Sequence, residues 1–211
     1  MNGKRILLFD FDGTIADSFK NFIEIVDILA DKYHFPKISQ PDIELLRAKN
    51  AKAIIGILGI PFYKIPFVAR DMKKMQRQKI DQIKPFHGMS ETIQKLSEMG
   101  YQIGILTSNS RENVNVFLKS NNIDVFDFIN TDAGIFGKEK LLRLFLRKNK
   151  VGKEEVIYIG DEIRDIYACR STGIKIVSVA WGFNSREGLV LHKPDYIADT
   201  PEELIRLVKN L

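Results

Sequence analysis

Apolar residues fall along this chain in two alternating rhythms. Short runs at residues 6–9, 101–106, 155–159 and 175–179 are rich in Ile, Val, Leu or Tyr, and each gives way to polar or small residues. Runs of that length and density fit strands buried on both faces of a parallel sheet. Between them, residues 88–99, 111–121, 138–148 and 163–172 repeat their apolar positions every three or four residues, which is the helical period. Strand and helix in turn predict an α/β fold: a doubly wound parallel sheet with a Rossmann-like core. Sites in such sheets form beyond the carboxyl ends of the strands, where Asp10, Thr107 and Asp161 all stand.

The segment 16–84 breaks the alternation. It holds helical patterns at 21–33, 42–49, 51–58 and 67–82, punctuated by Pro36, Pro41, Pro61 and Pro66, with no convincing strand. We expect residues 1–15 and 85–211 to form the core and 16–84 an inserted all-helical cap.

Composition narrows the class. With 211 residues, 45% hydrophobic and 28% charged, the chain falls among folded soluble proteins. The net charge of +5 is spread thinly, basic residues alternating with acidic ones, so it fits solvated helix faces and no nucleic-acid partner is expected. One cysteine, Cys169, excludes an intrachain disulfide and suits a reducing compartment. No apolar run approaches the roughly 18 residues of a membrane span, and the start of the chain lacks a signal-peptide pattern. No membrane partner is expected, and a cytoplasmic location follows as an expectation.

The chemistry gathers at strand ends. Asp10-Phe11-Asp12-Gly13-Thr14 places two carboxylates two residues apart after the first run. By itself this fits a solvated turn as well as a site. A second run ends in Gly160-Asp161, with Asp165 four residues on. Two carboxylates about 4 Å apart repel by roughly 4 kcal/mol at an effective dielectric of 20, so Asp10, Asp12 and Asp161 brought together would need a cation or protons. All-oxygen ligation with retained waters suits magnesium. A third run ends in Thr107-Ser108-Asn109 before a helix, where hydroxyl, amide and backbone donors could meet a phosphoryl group; the same residues also fit a plain helix cap. Lys138 could neutralise a further oxygen or lie on the surface.

Taken together, these elements resemble the haloacid dehalogenase superfamily over essentially the whole chain. Asp10-Phe11-Asp12-Gly13-Thr14 is similar to its first motif, Thr107 to its second, Lys138 to its third, and Gly160-Asp161 with Asp165 to its fourth. The continuation Ile15-Ala16-Asp17-Ser18 resembles the phosphoglycolate phosphatase branch. The resemblance implies a magnesium-dependent phosphatase acting on a small phosphorylated metabolite, phosphoglycolate among the candidates. In that reading Asp10 is the nucleophile that becomes an aspartyl phosphate. Asp12 is the general acid and then base. Asp10, Asp12 and Asp161 hold Mg2+, while Thr107, Ser108, Asn109 and Lys138 bind phosphate. Asp165 stands behind the ligands, orienting Lys138 or a metal-bound water.

The chain departs from that branch at Glu162, where relatives usually carry Thr after Gly-Asp. Arg47, in Leu45-Leu46-Arg47-Ala48-Lys49, resembles a cap arginine and is a candidate for the distal end of a substrate, with a solvated surface position as the alternative. Asp12 argues against dehalogenation, since halide departure needs no proton. A phosphomutase of the beta-phosphoglucomutase type would keep all four motifs. A non-catalytic relative would be expected to have lost one.

Overall fold

A computed structural model of the chain describes residues 5–131 and 137–211. Among the described residues, six parallel strands form one sheet: β1 (Ile6–Phe9), β2 (Gln102–Leu106), β3 (Phe128–Asn130), β4 (Val156–Gly160), β5 (Lys175–Val179) and β6 (Tyr196–Ala198). Their order is β3-β2-β1-β4-β5-β6, so the winding reverses between β1 and β4. The residues that follow these two strands therefore flank the switch point, where an open parallel sheet presents its crevice. In register Phe9 lies opposite Ile159, and Asp10 N–H donates to the Ile159 carbonyl at 2.8 Å.

Period-two alternation divides each inner strand between two buried faces. Leu7, Phe9, Ile103, Ile105, Ile157 and Ile159 face one cluster with α5 (Met89–Glu98), α6 (Arg111–Ser120) and α10 (Pro201–Lys209). Ile6, Leu8, Leu106, Val156 and Tyr158 face the other, against α7 (Lys138–Asn149) and α8 (Ile163–Thr172). Burying one such side chain contributes about 1.5–3 kcal/mol, which is why the four inner strands read as apolar-rich runs. Cys169 is buried in the second cluster.

Between β1 and α5 the chain forms α1 (Phe19–Tyr33), α2 (Gln40–Arg47), α3 (Ala51–Ile57) and α4 (Ile65–Arg77). These helices have a core of their own, built on Ile25, Val26, Leu29, Phe35, Leu58 and Val68. The helix expected over 67–82 is shorter: α4 ends at Arg77 and a separate 3-10 turn spans Ile80–Gln82. Val68 belongs to the cap cluster and Ile80 to the main core, so the chain passes from one core to the other across this break. Among the described residues, no helix is long and apolar enough to cross a membrane.

Candidate active site

The turn after β1 is shaped by Gly13, which has φ +77°. A side chain there would be strained, and its Cβ would lie 2.1 Å from Asp161 Oδ2. The close approach lets Thr14 Oγ1 donate to Asp161 Oδ1 at 2.7 Å, while Phe183 N–H donates to Asp161 Oδ2 at 2.7 Å. Asp161 is thereby gripped from both sides and is fully buried.

Three carboxylates converge below this turn. Asp10, Asp161 and Asp165 each offer an oxygen, and these oxygens lie within 4.8 Å of one another. Lys138, the first residue of α7, donates to Asp10 Oδ2 at 2.6 Å and to Asp165 Oδ1. Burial opposes the Lys138 charge, but Asp10 and Asp165 more than offset it and hold its pKa above the ordinary lysine value. Burial likewise pushes Asp165 up to about 7 against the pull of Lys138. It pushes Asp161 well above the usual carboxylate range, with Glu162, Asp10 and Asp165 adding to the shift. Three buried carboxylates sharing one lysine need further positive charge or protons. A donor set made only of oxygen fits a hard divalent cation.

The side chain of Asp12 is not part of this group. The sequence expectation put Asp12 at the metal with Asp10 and Asp161, and Asp165 behind them; the side-chain carboxylates that meet are those of Asp10, Asp161 and Asp165. The reason lies in its partners. Asp12 Oδ1 accepts from Ser18 Oγ at 2.9 Å and Oδ2 from Asn109 Nδ2 at 2.8 Å, which turns the carboxylate toward the mouth of a cavity of about 270 Å³ that it helps to line. Burial pushes its pKa up to about 6, while the Asn109 and Ser18 hydrogen bonds pull it down. Ser18 precedes α1 but makes no side-chain cap bond there, because its hydroxyl serves Asp12.

Thr107 and Asn109 are buried after β2. Asn109 N–H donates to Thr107 Oγ1 at 3.1 Å, and Asn109 Oδ1 accepts from Asn113 Nδ2 at 2.8 Å, so this loop is rigidly held as it supports Asp12. The cap of α6 is Ser110, which leaves Thr107 to Asn109 to the site. Ser108 lines the cavity, where its hydroxyl meets Arg164 Nη2 at 3.4 Å.

Arg47 lines the same cavity as Asp12, with its guanidinium held by backbone carbonyls. Its Nε donates to the Phe183 carbonyl at 3.1 Å, Nη2 to the Gly182 carbonyl at 2.8 Å and Nη1 to Glu44 at 3.1 Å, with the guanidinium over the Phe19 ring. Asn184 Nδ2 returns a bond to the Lys49 carbonyl at 2.9 Å. This lattice ties the helical cap to the loop that also supplies the Phe183 N–H to Asp161. Trp181 packs edge-on to Phe86 and donates to the Thr14 carbonyl at 3.1 Å, a structural rather than a stacking role.

Four residues that the sequence reading did not assign now belong to the site's surroundings: Thr14 and Ser18, both inside quoted motif segments, and Phe183 and Arg164. The first two carried a signal in their hydroxyls next to the paired aspartates. Phe183 acts through its backbone, which side-chain identity does not reveal.

Comparison with known proteins agrees with this geometry. A family model described as haloacid dehalogenase-like hydrolase matches residues 7–179. A phosphoglycolate phosphatase of Synechococcus elongatus is 31% identical over 211 residues, covering 98% of each chain. A pyrophosphatase PpaX of Bacillus velezensis is 26% identical, again covering 98% of both chains. In fold, the chain superposes on a haloacid dehalogenase-like hydrolase of Streptococcus pneumoniae with a TM-score of 0.77, at 23% identity and covering 99% and 100% of the two chains.

Proposed function

Because the chain belongs to the haloacid dehalogenase-like hydrolases, we propose that it is a magnesium-dependent phosphatase for a small phosphorylated metabolite, working in the cytoplasm through an aspartyl phosphate on Asp10. The observation that carries this reading is the division of labour between two carboxylates two residues apart. Asp10 joins the buried group of Asp161, Asp165 and Lys138, whereas Asp12 faces the cavity with a pKa raised to about 6.

A carboxylate that accepts a hydrogen bond from a lysine is held in place to act as a nucleophile. A carboxyl group titrating near neutrality can give a proton and take one back. In the first half-reaction an Asp10 oxygen bonds to phosphorus as the ester P–O bond breaks, and Asp12 gives its proton to the departing oxygen. In the second, Asp12 takes a proton from water as that water's oxygen bonds to phosphorus and the Asp10 acyl phosphate breaks. Inorganic phosphate leaves, and both carboxylates return to their starting states.

Asp10, Asp161 and Asp165 are the residues that would hold magnesium, which when bound supplies positive charge against the phosphoryl oxygens. Lys138 holds charge from the opposite side, and Thr107, Ser108 and Asn109 supply hydroxyl, amide and backbone donors. The helical segment 16–84 serves as the cap that encloses the leaving part of the substrate. The names of two relatives, a phosphoglycolate phosphatase and a pyrophosphatase, support a substrate with a second anionic group close to the phosphoryl group.

The test is a magnesium-supplemented screen of phosphorylated metabolites followed by acid quench of a labelled substrate. Label recovered on the peptide containing Asp10, and absent in Asp10→Asn, is the expected result. Wild-type turnover by Asp10→Asn, free of contaminating phosphatase, would sink the covalent mechanism.

A further inference from the structure

We propose that the leaving part of the substrate carries an apolar group, a short hydrocarbon chain or ring, which lodges against the inner wall of the helical cap. The assignment deepens the phosphatase reading above and rests on it.

The cavity of about 270 Å³ that Asp12 helps to line has two unlike sides. The core contributes polar groups, among them Asp12, Ser108 and Asn109. The wall that the cap contributes is largely apolar, and all four of its helices take part: Phe22 from α1, Ile43 from α2, Ile54 from α3 and Met72 from α4. Each of these four side chains is only half-buried, although Phe22, Ile54 and Met72 also pack against the cap's own core. Single apolar side chains left partly open are ordinary on a protein. Four helices that turn such groups onto one concave space form the kind of wall that holds a ligand.

The wall continues onto the core. Phe183 lines the same cavity, and its ring meets those of Phe19 and Phe22 edge-on, with centroids 5.3 and 5.2 Å apart. Charged groups also border the space. Arg164 does so with Glu162 accepting from its Nε at 2.8 Å, and Lys49 and Lys73 are exposed. They leave the inner face of the cap apolar.

Continuity with Asp12 decides what occupies this space. Asp12 gives its proton to the departing oxygen, so whatever that oxygen carries extends into the cavity that Asp12 borders. An apolar cavity of about 150 Å³ takes a benzene ring, and this one is larger. A leaving part as small as that of phosphoglycolate or pyrophosphate would leave much of the cap wall against water. A hydrocarbon chain or ring would cover it and gain the free energy of burial. The second anion that the relatives' names suggest is compatible with this, since it would lie beside the phosphoryl group, at the polar side.

The experiment measures kcat/KM of the full chain, with magnesium, for methyl, butyl and hexyl phosphate, beside 2-phosphoglycolate and pyrophosphate. The three leaving alcohols differ little in acidity, so the dependence on chain length reads binding of the chain. In wild type we expect a rise of about two- to fourfold per added methylene, mostly as a fall in KM. Two variants on α4 alter the wall: Ala69→Phe fills the space, and Met72→Gln keeps the side chain's length while making it polar. In both, the rise should drop below about 1.5-fold per methylene, whatever their rate with methyl phosphate. A general loss of folded enzyme would lower all three esters together and keep the slope. A flat or falling dependence in wild type, an unchanged slope in both variants, or turnover of 2-phosphoglycolate or pyrophosphate with none of the esters would overturn the assignment and leave the phosphatase reading standing. If Ala69→Phe does not fold, Met72→Gln decides. No turnover of any of the five compounds by wild type would remove the phosphatase reading, and the assignment with it.

Discussion

Lys138 donates to Oδ2 of Asp10 at 2.6 Å across 128 positions of sequence, and the same ammonium also donates to Asp165. The contact joins the end of β1 to the start of α7 inside a site where the lysine is 3% exposed and Asp165 is fully buried. Breaking a buried ion pair from one side leaves an uncompensated charge, at a cost of about 3–5 kcal/mol. Lys138→Met should therefore lose stability on that scale, read by chemical denaturation. It should also lose about 10²–10³-fold in kcat, since a charge aimed at the phosphoryl oxygens has gone. Wild-type kcat in a folded Lys138→Met protein would remove the lysine from the site.

Metal dependence follows from Asp10, Asp161 and Asp165 meeting with oxygen donors only. Chelation should silence turnover and magnesium should restore it. Calcium should restore it poorly, because its larger and looser coordination shell disturbs in-line geometry. The added charge should also raise thermal stability, by linkage to the folded state, and Asp161→Asn should reduce that rise. Activity in chelator equal to that in magnesium would contradict the site.

The four inner strands are legible because burial on both faces favours sequence dense in apolar residues, and the carboxylates at their ends stand out for the same reason. The edge strands β3 and β6 escaped because they are three residues long and mostly half-buried, so Phe128–Asn130 and Tyr196–Ala198 carry no run to read. Helix α10 carries a signal of its own: Thr200 caps it, Pro201 opens it, and Leu204, Leu207 and Val208 repeat at helical spacing. The direction taken by Asp12 was not legible, since it depends on Ser18 and Asn109, six and 97 positions away. Arg47 stands out in the sequence by its position in a cap helix. Its partners, the carbonyls of Gly182 and Phe183, are backbone groups that residue types do not announce.

Those partners change what Arg47→Ala should do. The side chain ties the cap to the loop that supplies Phe183 N–H to Asp161, so its loss should loosen the closed arrangement whatever the substrate carries. We expect kcat/KM for 2-phosphoglycolate and for 4-nitrophenyl phosphate to fall by factors within about twofold of each other. A selective loss on the anionic substrate would instead assign Arg47 to its distal group.

The last prediction concerns the cap's own stability and its dependence on pH. Asp71 on α4 is 8% exposed and accepts from Lys32 at 2.5 Å, Tyr33 Oη at 2.8 Å and Arg70 Nε at 3.0 Å, which ties α4 to α1. Hydrogen bonds from Lys32, Tyr33 and Arg70, in that order, hold its carboxyl well below the ordinary value of 3.8. A carboxylate whose folded pKa is depressed contributes stability that is fully present above the unfolded pKa, and that contribution fades as pH falls from there toward the folded pKa. Asp71→Asn keeps the shape but not the charge, so at pH 7 it should be less stable than wild type, with a lower denaturant midpoint. The gap should hold down to about pH 5 and narrow as pH falls below 3.8, where the unfolded wild-type carboxyl takes up its proton before the folded one does. Denaturation curves for both proteins at pH 7, 5 and 3.5 give the comparison. A gap that is the same at all three pH values would mean that the charge of Asp71 does not stabilise the cap and that its hydrogen bonds serve it as well when neutral.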